Sequence, residues 1–222
     1  MSSRPITHVH AQPFDHFVRG RFNAWFFATL DTYVNRVTEP LKQAAFGSLE
    51  ATTVVELGPG VGSNLKYLPS GALLVAVEPN TRMHAALATR CERAGVELRL
   101  IADYAERMPL ADASVDEVIC SLVLCTVPDP DAVVREVRRV LRPGGRFRFV
   151  EHVAAPPRSA RSRVQRALRG PWAWTFEGCD LHRDTGAVIE GAGFERTSMF
   201  ERVLRGSVFY PVNTAICGIA WR

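Results

Sequence analysis

Long apolar runs are missing from this chain of 222 residues. A helix that crosses a bilayer needs about 20 consecutive apolar residues, and no stretch approaches that length. Residues 1–12 also lack the apolar segment of a secretory signal. The chain is 47% hydrophobic and 23% charged, which is typical of a globular protein with a sizeable core. We therefore expect one globular domain in the cytoplasm.

Paired cysteines are missing as well. The five cysteines are scattered, odd in number and form no C-x-x-C pair (Cys91, Cys120, Cys125, Cys179 and Cys217). Structural metal sites commonly use closely spaced cysteines, and disulfides persist in oxidising compartments. We therefore expect reduced thiols and no bound metal.

Lysine is scarce, although the net charge is +4. Only Lys42 and Lys66 among the 27 basic residues are lysines, so the other 25 are arginines. Genomes rich in G and C produce such a composition, and an acidic partner such as nucleic acid or a membrane surface would also favour it. We find no appended nucleic-acid-binding module and no N-P-P-[YF] segment, so we expect no nucleic-acid partner.

A glycine-rich turn follows the first strong apolar run. Residues 54–62 read V-V-E-L-G-P-G-V-G, and a second apolar run at 73–77 is followed by Glu78. A strand, a glycine turn, a helix start and an acid at the next strand end together predict a nucleotide-type cofactor site. We expect Gly58, Gly60 and Gly62 to let the backbone approach the ligand, and Glu78 to accept hydrogen bonds from two ribose hydroxyls.

The glycine spacing distinguishes between cofactors. The dinucleotide fingerprint has its third glycine one residue later, where this chain has Ser63. Glu56, in the strand before the turn, would repel a phosphate but could face a cationic or zwitterionic ligand. Both features favour S-adenosylmethionine (SAM), which carries a sulfonium and an amino acid end and no phosphate.

Four ordered segments resemble class I SAM-dependent methyltransferases. E-L-G-P-G-V-G (56–62) is similar to motif I, V-E-P-N (77–80) to the acidic motif, A-D-Y-A-E-R-M-P (102–109) to the adenine segment, and L-R-P-G-G (141–145) to the turn before the fifth strand. The resemblance implies a Rossmann-like α/β fold, a seven-stranded sheet with helices on both faces, with SAM as cofactor. The resemblance also implies that five residues beyond the turn bind SAM: Pro79, Asp103, Tyr104, Ser121 and Leu122.

A narrower resemblance continues toward the C-terminus. C-S-L-V-L-C-T-V (120–127), E-H-V-A-A (151–155) and F-E-G-C-D-L-H-R (176–183) resemble the methyltransferase-like proteins that methylate alkyl thiols. Pro59 and His182 depart from that family, which has cysteine and threonine there. The resemblance implies S-methylation of a small-molecule thiol. O- or N-methylation of a natural product or lipid amine is the alternative, followed by nucleic-acid methylation and by a catalytically silent SAM-binding protein.

The chain divides into an N-terminal helical cap (1–48) and a SAM-binding domain (49–222), in which 153–180 form a lid or substrate-binding insertion. Aromatic residues at helical spacing predict that the cap is a helix. This helix could simply pack against the domain. Because arginines flank the aromatic residues, it could instead make a peripheral contact with a membrane. Alternating patterns predict strands at 53–57, 73–78, 97–101, 115–121 and 146–152, and helices at 62–68, 80–94, 130–141 and 179–193. Two final strands are expected at 195–204 and 207–221. The alternative for the insertion is a basic helix exposed to solvent.

The candidate catalytic residues are His152 and Asp180. His152 ends the fifth strand and titrates near neutrality, so it is the preferred general base, although it could simply orient a loop. Asp180 could instead cap a helix. The substrate site is expected to include Cys125, Trp172, Trp174, Cys179 and Arg183, although both cysteines could be inert buried thiols.

Overall fold

The structure is a computed structural model that describes residues 17–204 and 207–222, with side chains described from residue 29 onward. Residues 1–12 and most of the aromatic residues that predict the cap lie outside the described side chains. No helix within the described ranges combines the length and the hydropathy that a membrane span requires.

Seven strands form one twisted sheet, as predicted. Their order across the sheet is β3-β2-β1-β4-β5-β7-β6. The first five are parallel, and β7 lies antiparallel between β5 and β6. The bounds are β1 Thr53–Leu57, β2 Leu73–Val77, β3 Glu97–Ile101, β4 Val115–Ser121, β5 Leu141–His152, β6 Arg196–Val203 and β7 Thr214–Trp221.

Helices cover both faces of the sheet. They are α1 Phe17–Phe46, α2 Thr81–Ala94, α3 Pro130–Val140, α4 Ala160–Thr175 and α5 Thr185–Gly191. Successive strand residues point to opposite faces, so Val54 packs with α1 and α2 while Val55 packs with α3. Burial on both sides explains why the central strands read as nearly continuous apolar runs.

Two predicted helices differ from the structure. Residues 62–68 form turns and a short 3-10 helix, Leu65–Tyr67, because Gly62 adopts a φ of +89° and interrupts the helical path. The helix predicted from residue 179 begins only at Thr185, where the side chain of Asp184 accepts a hydrogen bond from the amide of Ala187. The final strand also starts later than predicted, at Thr214, after a 3-10 turn at Tyr210–Val212.

A buried arginine holds the end of α1 on the sheet. The Arg148 guanidinium, on β5, pairs with the carboxylate of Glu117 on β4 at 2.9 Å. It also donates to the carbonyl of Ala45 at 2.8 Å and to the hydroxyl of Ser48 at 3.0 Å. Because the Arg148 side chain is fully buried, the ion pair and the helix end must be present together. The cap helix is thus an integral part of the packed domain.

Candidate active site

A cavity of about 300 Å³ opens at the carboxyl ends of β1 and β4. Strand order reverses direction between these two strands, which is where open α/β sheets bind ligands. The walls come from the glycine turn, the ends of β2 and β4, the middle of α1 and the end of α4, and from four residues near the C-terminus: Leu204, Ser207, Phe209 and Val212. Pro59, Pro79 and Val61 line its floor near the turn.

Glu78 holds the glycine turn against the end of β2. Its carboxylate accepts from the amide of Gly60 at 3.0 Å and from the amide of Asn80 at 2.8 Å. Burial raises the pKa of Glu78 to about 6, although both amides oppose the shift. An ionised carboxylate has about four acceptor sites, so two remain for donors in the cavity. Asn80 also lines the cavity, and its Nδ2 has no hydrogen-bond partner among the described residues.

The three glycines of the turn serve different purposes. Gly60 lines the cavity at a φ of +58°, a left-handed conformation that favours glycine. Gly62 does not line the cavity. A Cβ there would lie 2.7 Å from Cδ1 of Leu65 and 3.1 Å from Cδ1 of Leu87, so packing and turn geometry, rather than ligand approach, require this glycine.

Glu56 acts through another residue. It is 1% exposed and does not line the cavity, which corrects the expectation that it faces the ligand directly. Its Oε1 accepts from Nδ2 of Asn64 at 2.7 Å, and burial raises its pKa to about 7. Asn64 does line the cavity, and its Oδ1 has no partner within the described ranges. Glu56 thereby turns an amide oxygen toward the cavity.

Lys42 was not foreseen as part of this site. It lies on α1, lines the cavity and donates to Oδ1 of Asn35 at 2.7 Å. Burial lowers its pKa to about 8, although Glu56 and Asp31 oppose the shift. No local sequence pattern indicates that Lys42 belongs to the site.

Asp31 joins α1 to the glycine turn. Its carboxylate accepts from the hydroxyl of Ser63 and pairs with Arg90 of α2 at 2.6 Å. Burial would raise the pKa of Asp31, but Ser63 and Arg90 outweigh it and hold the pKa below its ordinary value. The cap helix therefore forms one wall of the cavity through specific polar contacts.

The end of β4 carries a strained residue. Leu122 has a φ of +59°, and its amide donates to the carbonyl of Val150 at 2.8 Å. The next amide, of Val123, donates to the buried carboxylate of Glu151 at 3.0 Å. Left-handed conformations in residues other than glycine cluster at functional sites, where surrounding contacts enforce them. Ser121 and Leu122, which the resemblance assigns to the SAM site, both line the cavity.

Tyr104 and Asp103 follow β3. Tyr104 lines the cavity, whereas Asp103 does not. The Asp103 carboxylate accepts from the amide of Tyr104 at 2.8 Å and so shapes the turn. The contact of Asp103 with SAM that the resemblance implies stays a prediction.

Three residues converge at the end of the cavity beyond Leu122. The side-chain ligand atoms of Cys125, His152 and Cys179 all lie within 4.8 Å of one another. His152 Nε2 is 3.0 Å from Cys179 Sγ, and all three residues are buried yet line the cavity. We call them the Cys-His-Cys cluster.

The Cys-His-Cys cluster is electrostatically coupled. A hydrogen bond with Cys125 lowers the pKa of the Cys179 thiol, and the Trp172 indole, 3.3 Å from Sγ, adds to this effect. Burial would lower the pKa of His152, but Cys125 and Glu151 outweigh it and raise that pKa above its ordinary value. The hydrogen bond with Cys179, together with burial, raises the pKa of the Cys125 thiol well above its ordinary value, so Cys179 is the more acidic thiol of the cluster.

The insertion supplies one wall. Trp172 and Phe176 line the cavity with ring centroids 4.4 Å apart. Trp174 is 67% exposed and does not line it, contrary to expectation. Residues two apart on an α-helix are rotated by about 200°, so Trp172 and Trp174 cannot both face the cavity.

Asp180 and Arg183 support the cavity from outside. Neither lines it. The Asp180 carboxylate accepts from Arg169 at 3.0 and 2.7 Å, which ties α4 to the chain that follows it. Arg183 donates to the carbonyls of Leu124 and Val127 at 2.6 and 2.7 Å. These contacts position the neighbouring segments, and the catalytic role expected for Asp180 and the substrate contact expected for Arg183 stay predictions.

Comparisons with known proteins identify the family of this chain. Residues 55–149 match the family model described as a methyltransferase domain. Thiol S-methyltransferase TMT1B of Homo sapiens is 34% identical over 206 residues, which cover 88% of this chain and 84% of the human protein. The chain belongs to the SAM-dependent methyltransferases.

One more relative and one solved structure are also similar to this chain. Thiol S-methyltransferase TMT1B of Rattus norvegicus is 39% identical over 156 residues, which cover 69% of this chain and 64% of that protein. The solved structure of an S-adenosylmethionine-dependent methyltransferase from Mesorhizobium loti superimposes with a TM-score of 0.61 at 18% identity, covering 84% of this chain and 98% of that one. The structural match confirms the predicted methyltransferase fold.

Proposed function

We propose that this methyltransferase transfers the methyl group of SAM to the sulfur of a small-molecule thiol. The observation that carries the proposal is one cavity with two chemically distinct ends. A buried carboxylate and a glycine turn lie at one end, and the Cys-His-Cys cluster lies beside aromatic rings at the other. The relatives named thiol S-methyltransferases support the choice of sulfur.

The residues at the first end fit SAM. Glu78 has acceptor sites left for the ribose hydroxyls, and the unpartnered Nδ2 of Asn80 can donate to the nucleoside. Near the amino acid end, Oδ1 of Asn64 can accept from the ammonium of SAM, while Lys42 can face its carboxylate. Each buried polar atom thereby gains a partner, which removes a desolvation cost of about 1–3 kcal/mol per atom.

The second end fits a small apolar thiol. Trp172, Phe176, Phe209 and Val212 supply apolar surface for an alkyl or aryl group. Methyl transfer is an in-line displacement, in which the thiolate attacks the carbon opposite the departing sulfonium. Alignment alone can contribute about 7–11 kcal/mol to such a step. A thiol with a pKa of about 8.5 already carries some thiolate at neutral pH, so a strong base is not required.

An acceptor panel tests this function. Purified protein and SAM are mixed with alkyl thiols, aryl thiols, phenols and amines of matched shape, and S-adenosylhomocysteine release is measured. We expect turnover with the thiols, and a rate with the oxygen and nitrogen analogues that is lower by about 30-fold or more, since a pKa of about 10 instead of about 8.5 leaves about 30-fold less nucleophile at neutral pH. Preferred turnover of a phenol or an amine would refute S-methylation and leave the methyltransferase assignment intact.

A further inference from the structure

The Cys-His-Cys cluster has the composition of a metal site. Cys125 follows β4, His152 ends β5, and Cys179 follows α4, so three separate segments bring the ligand atoms within 4.8 Å of one another. Two sulfurs and one imidazole nitrogen form the ligand set that catalytic zinc sites use when one position stays open. The expectation of no metal rested on spacing along the chain, which does not report proximity across the sheet.

We propose that Cys125, His152 and Cys179 bind one Zn²⁺ ion whose fourth position faces the cavity. Zinc lies about 2.3 Å from sulfur and 2.0–2.1 Å from nitrogen, so ligand atoms in a tetrahedral site are about 3.5–3.8 Å apart. The cluster has 3.0 Å between His152 Nε2 and Cys179 Sγ, and at most 4.8 Å between any two of its atoms. Side-chain adjustments of less than about 1 Å therefore give tetrahedral distances.

Hydrogen bonds with neighbouring residues hold the Cys-His-Cys cluster together. The amide of Asp180 donates to the carbonyl of Cys125 at 2.8 Å, which fixes the two cysteine segments side by side. The indole of Trp172 donates to Sγ of Cys179, an outer contact that suits a thiolate ligand. All three ligands are nevertheless at the cavity wall, so a bound ion would be reached from the cavity and not from bulk solvent.

The open position gives the ion a role in the proposed function. A thiol that coordinates Zn²⁺ there loses its proton to solvent and becomes a thiolate held beside the methyl donor. Its sulfur then forms the bond to the methyl carbon as the carbon–sulfonium bond breaks, and the electron pair of that bond stays on S-adenosylhomocysteine. The neutral thioether product binds zinc more weakly and leaves. This role rests on S-methylation, whereas binding of the ion does not.

Metal binding is tested without any methyl donor or acceptor. The full chain, without a polyhistidine tag, is stripped with a chelator under reducing conditions and titrated with Zn²⁺ and with Co²⁺. We expect one ion per chain and, for Co²⁺, a thiolate-to-metal charge-transfer band with intense tetrahedral visible bands. Cys125→Ser and Cys179→Ser should each weaken Zn²⁺ binding more than about 100-fold, because even outer-shell changes cost 10–100-fold.

Cys91→Ser is the matched control, since Cys91 is equally buried but lies on α2. It should bind Zn²⁺ like the parent, and calorimetric SAM binding by all variants shows that each is folded. A stripped protein that takes up no stoichiometric ion, or cluster variants that bind like Cys91→Ser, would overturn the site. A Cys125–Cys179 disulfide in the reduced preparation would also overturn it.

Activity separates the two proposals. If the stripped protein methylates thiols at the rate of the Zn²⁺-loaded protein, the role of the ion in methyl transfer is refuted, whereas S-methylation stands and the titrations alone decide the binding site. If one Zn²⁺ binds through the three ligands and no thiol is turned over, the metal site stands and the proposed function fails.

Discussion

Glu78→Gln tests how this protein holds its methyl donor. The charged carboxylate accepts from the amides of Gly60 and Asn80, and in the proposed complex from two ribose hydroxyls. An amide of the same shape has one oxygen and one NH₂ group, so at least one of these donors would face another donor. Hydrogen bonds to a charged group contribute about 1.5–3 kcal/mol, and a lost partner leaves a buried donor unsatisfied. We therefore expect SAM affinity to fall by about 10- to 150-fold.

The same residue predicts a pH dependence. Burial raises the pKa of Glu78 from 4.5 to about 6 in the protein without ligand, so the buried protonated form is favoured. This contribution to stability is present below pH 4.5 and is lost as pH rises through 6, an effect of about 2 kcal/mol. Ribose hydroxyls favour the charged form of Glu78. The affinity for SAM therefore rises with pH, whereas the contribution of Glu78 to the stability of the free protein falls. Affinity should be about tenfold lower at pH 5 than at pH 7.

Isothermal titration calorimetry between pH 5 and 8 measures both effects. Glu56→Gln is the control, because Glu56 also has a raised pKa, about 7, but does not line the cavity. Its amide oxygen can still accept from Asn64, so the loss of affinity below pH 6 should persist in that variant. Glu78→Gln should bind weakly at every pH. If Glu78→Gln binds SAM within threefold of the parent, or keeps the parent's acid-dependent loss of affinity, the assignment of Glu78 is refuted.

Three further predictions concern the walls and the anchor of the cavity. Lys42→Met should weaken SAM binding by about 1.5–3 kcal/mol in calorimetry and leave binding of methylthioadenosine, which lacks the amino acid end, unchanged; equal losses would contradict a carboxylate contact. Arg148→Met should lower the free energy of unfolding by about 3–5 kcal/mol in urea titrations, because it removes a buried ion pair and the hydrogen bonds to Ala45 and Ser48; a loss below about 1 kcal/mol would contradict this anchoring role. Trp172→Ala should raise KM for an aryl thiol about tenfold or more, whereas Trp174→Ala should leave it within twofold; similar effects of both would argue against the described helix face.

Local patterns in the sequence accounted for much of the fold and for the donor end of the site. The strands β1 to β4 begin and end within one residue of prediction, since apolar runs bounded by glycine and polar residues are short-range signals. The methyltransferase class followed from the ordered motifs and is confirmed by the relatives. The short helix after the turn was mispredicted, because Gly62 has a local conformation that the apolar spacing does not report.

What the sequence could not give is long-range proximity. Cys125, His152 and Cys179 are separated by 27 residues at each step, and only the pairing of β4 with β5 and the return of the insertion bring them together. Lys42 reaches the cavity because α1 crosses the glycine turn, which no local pattern indicates. The difference between Trp172 and Trp174 depends on where α4 begins and which of its faces packs inward.

Pro40 divides the cap helix α1 into a cavity half before it and an anchored half after it, and the hydrogen bond from Lys42 to Asn35 joins the two halves. A proline has no amide hydrogen and cannot donate to the preceding turn, so the helical ladder is interrupted there. Residues 41–46 are fixed in the core, where Arg148 donates to the carbonyl of Ala45, whereas residues 31–38 touch the cavity. The cavity half can therefore unfold locally while the anchored half stays native. Amide hydrogens of residues 31–38 should exchange faster than those of 41–46, and bound SAM should slow their exchange selectively.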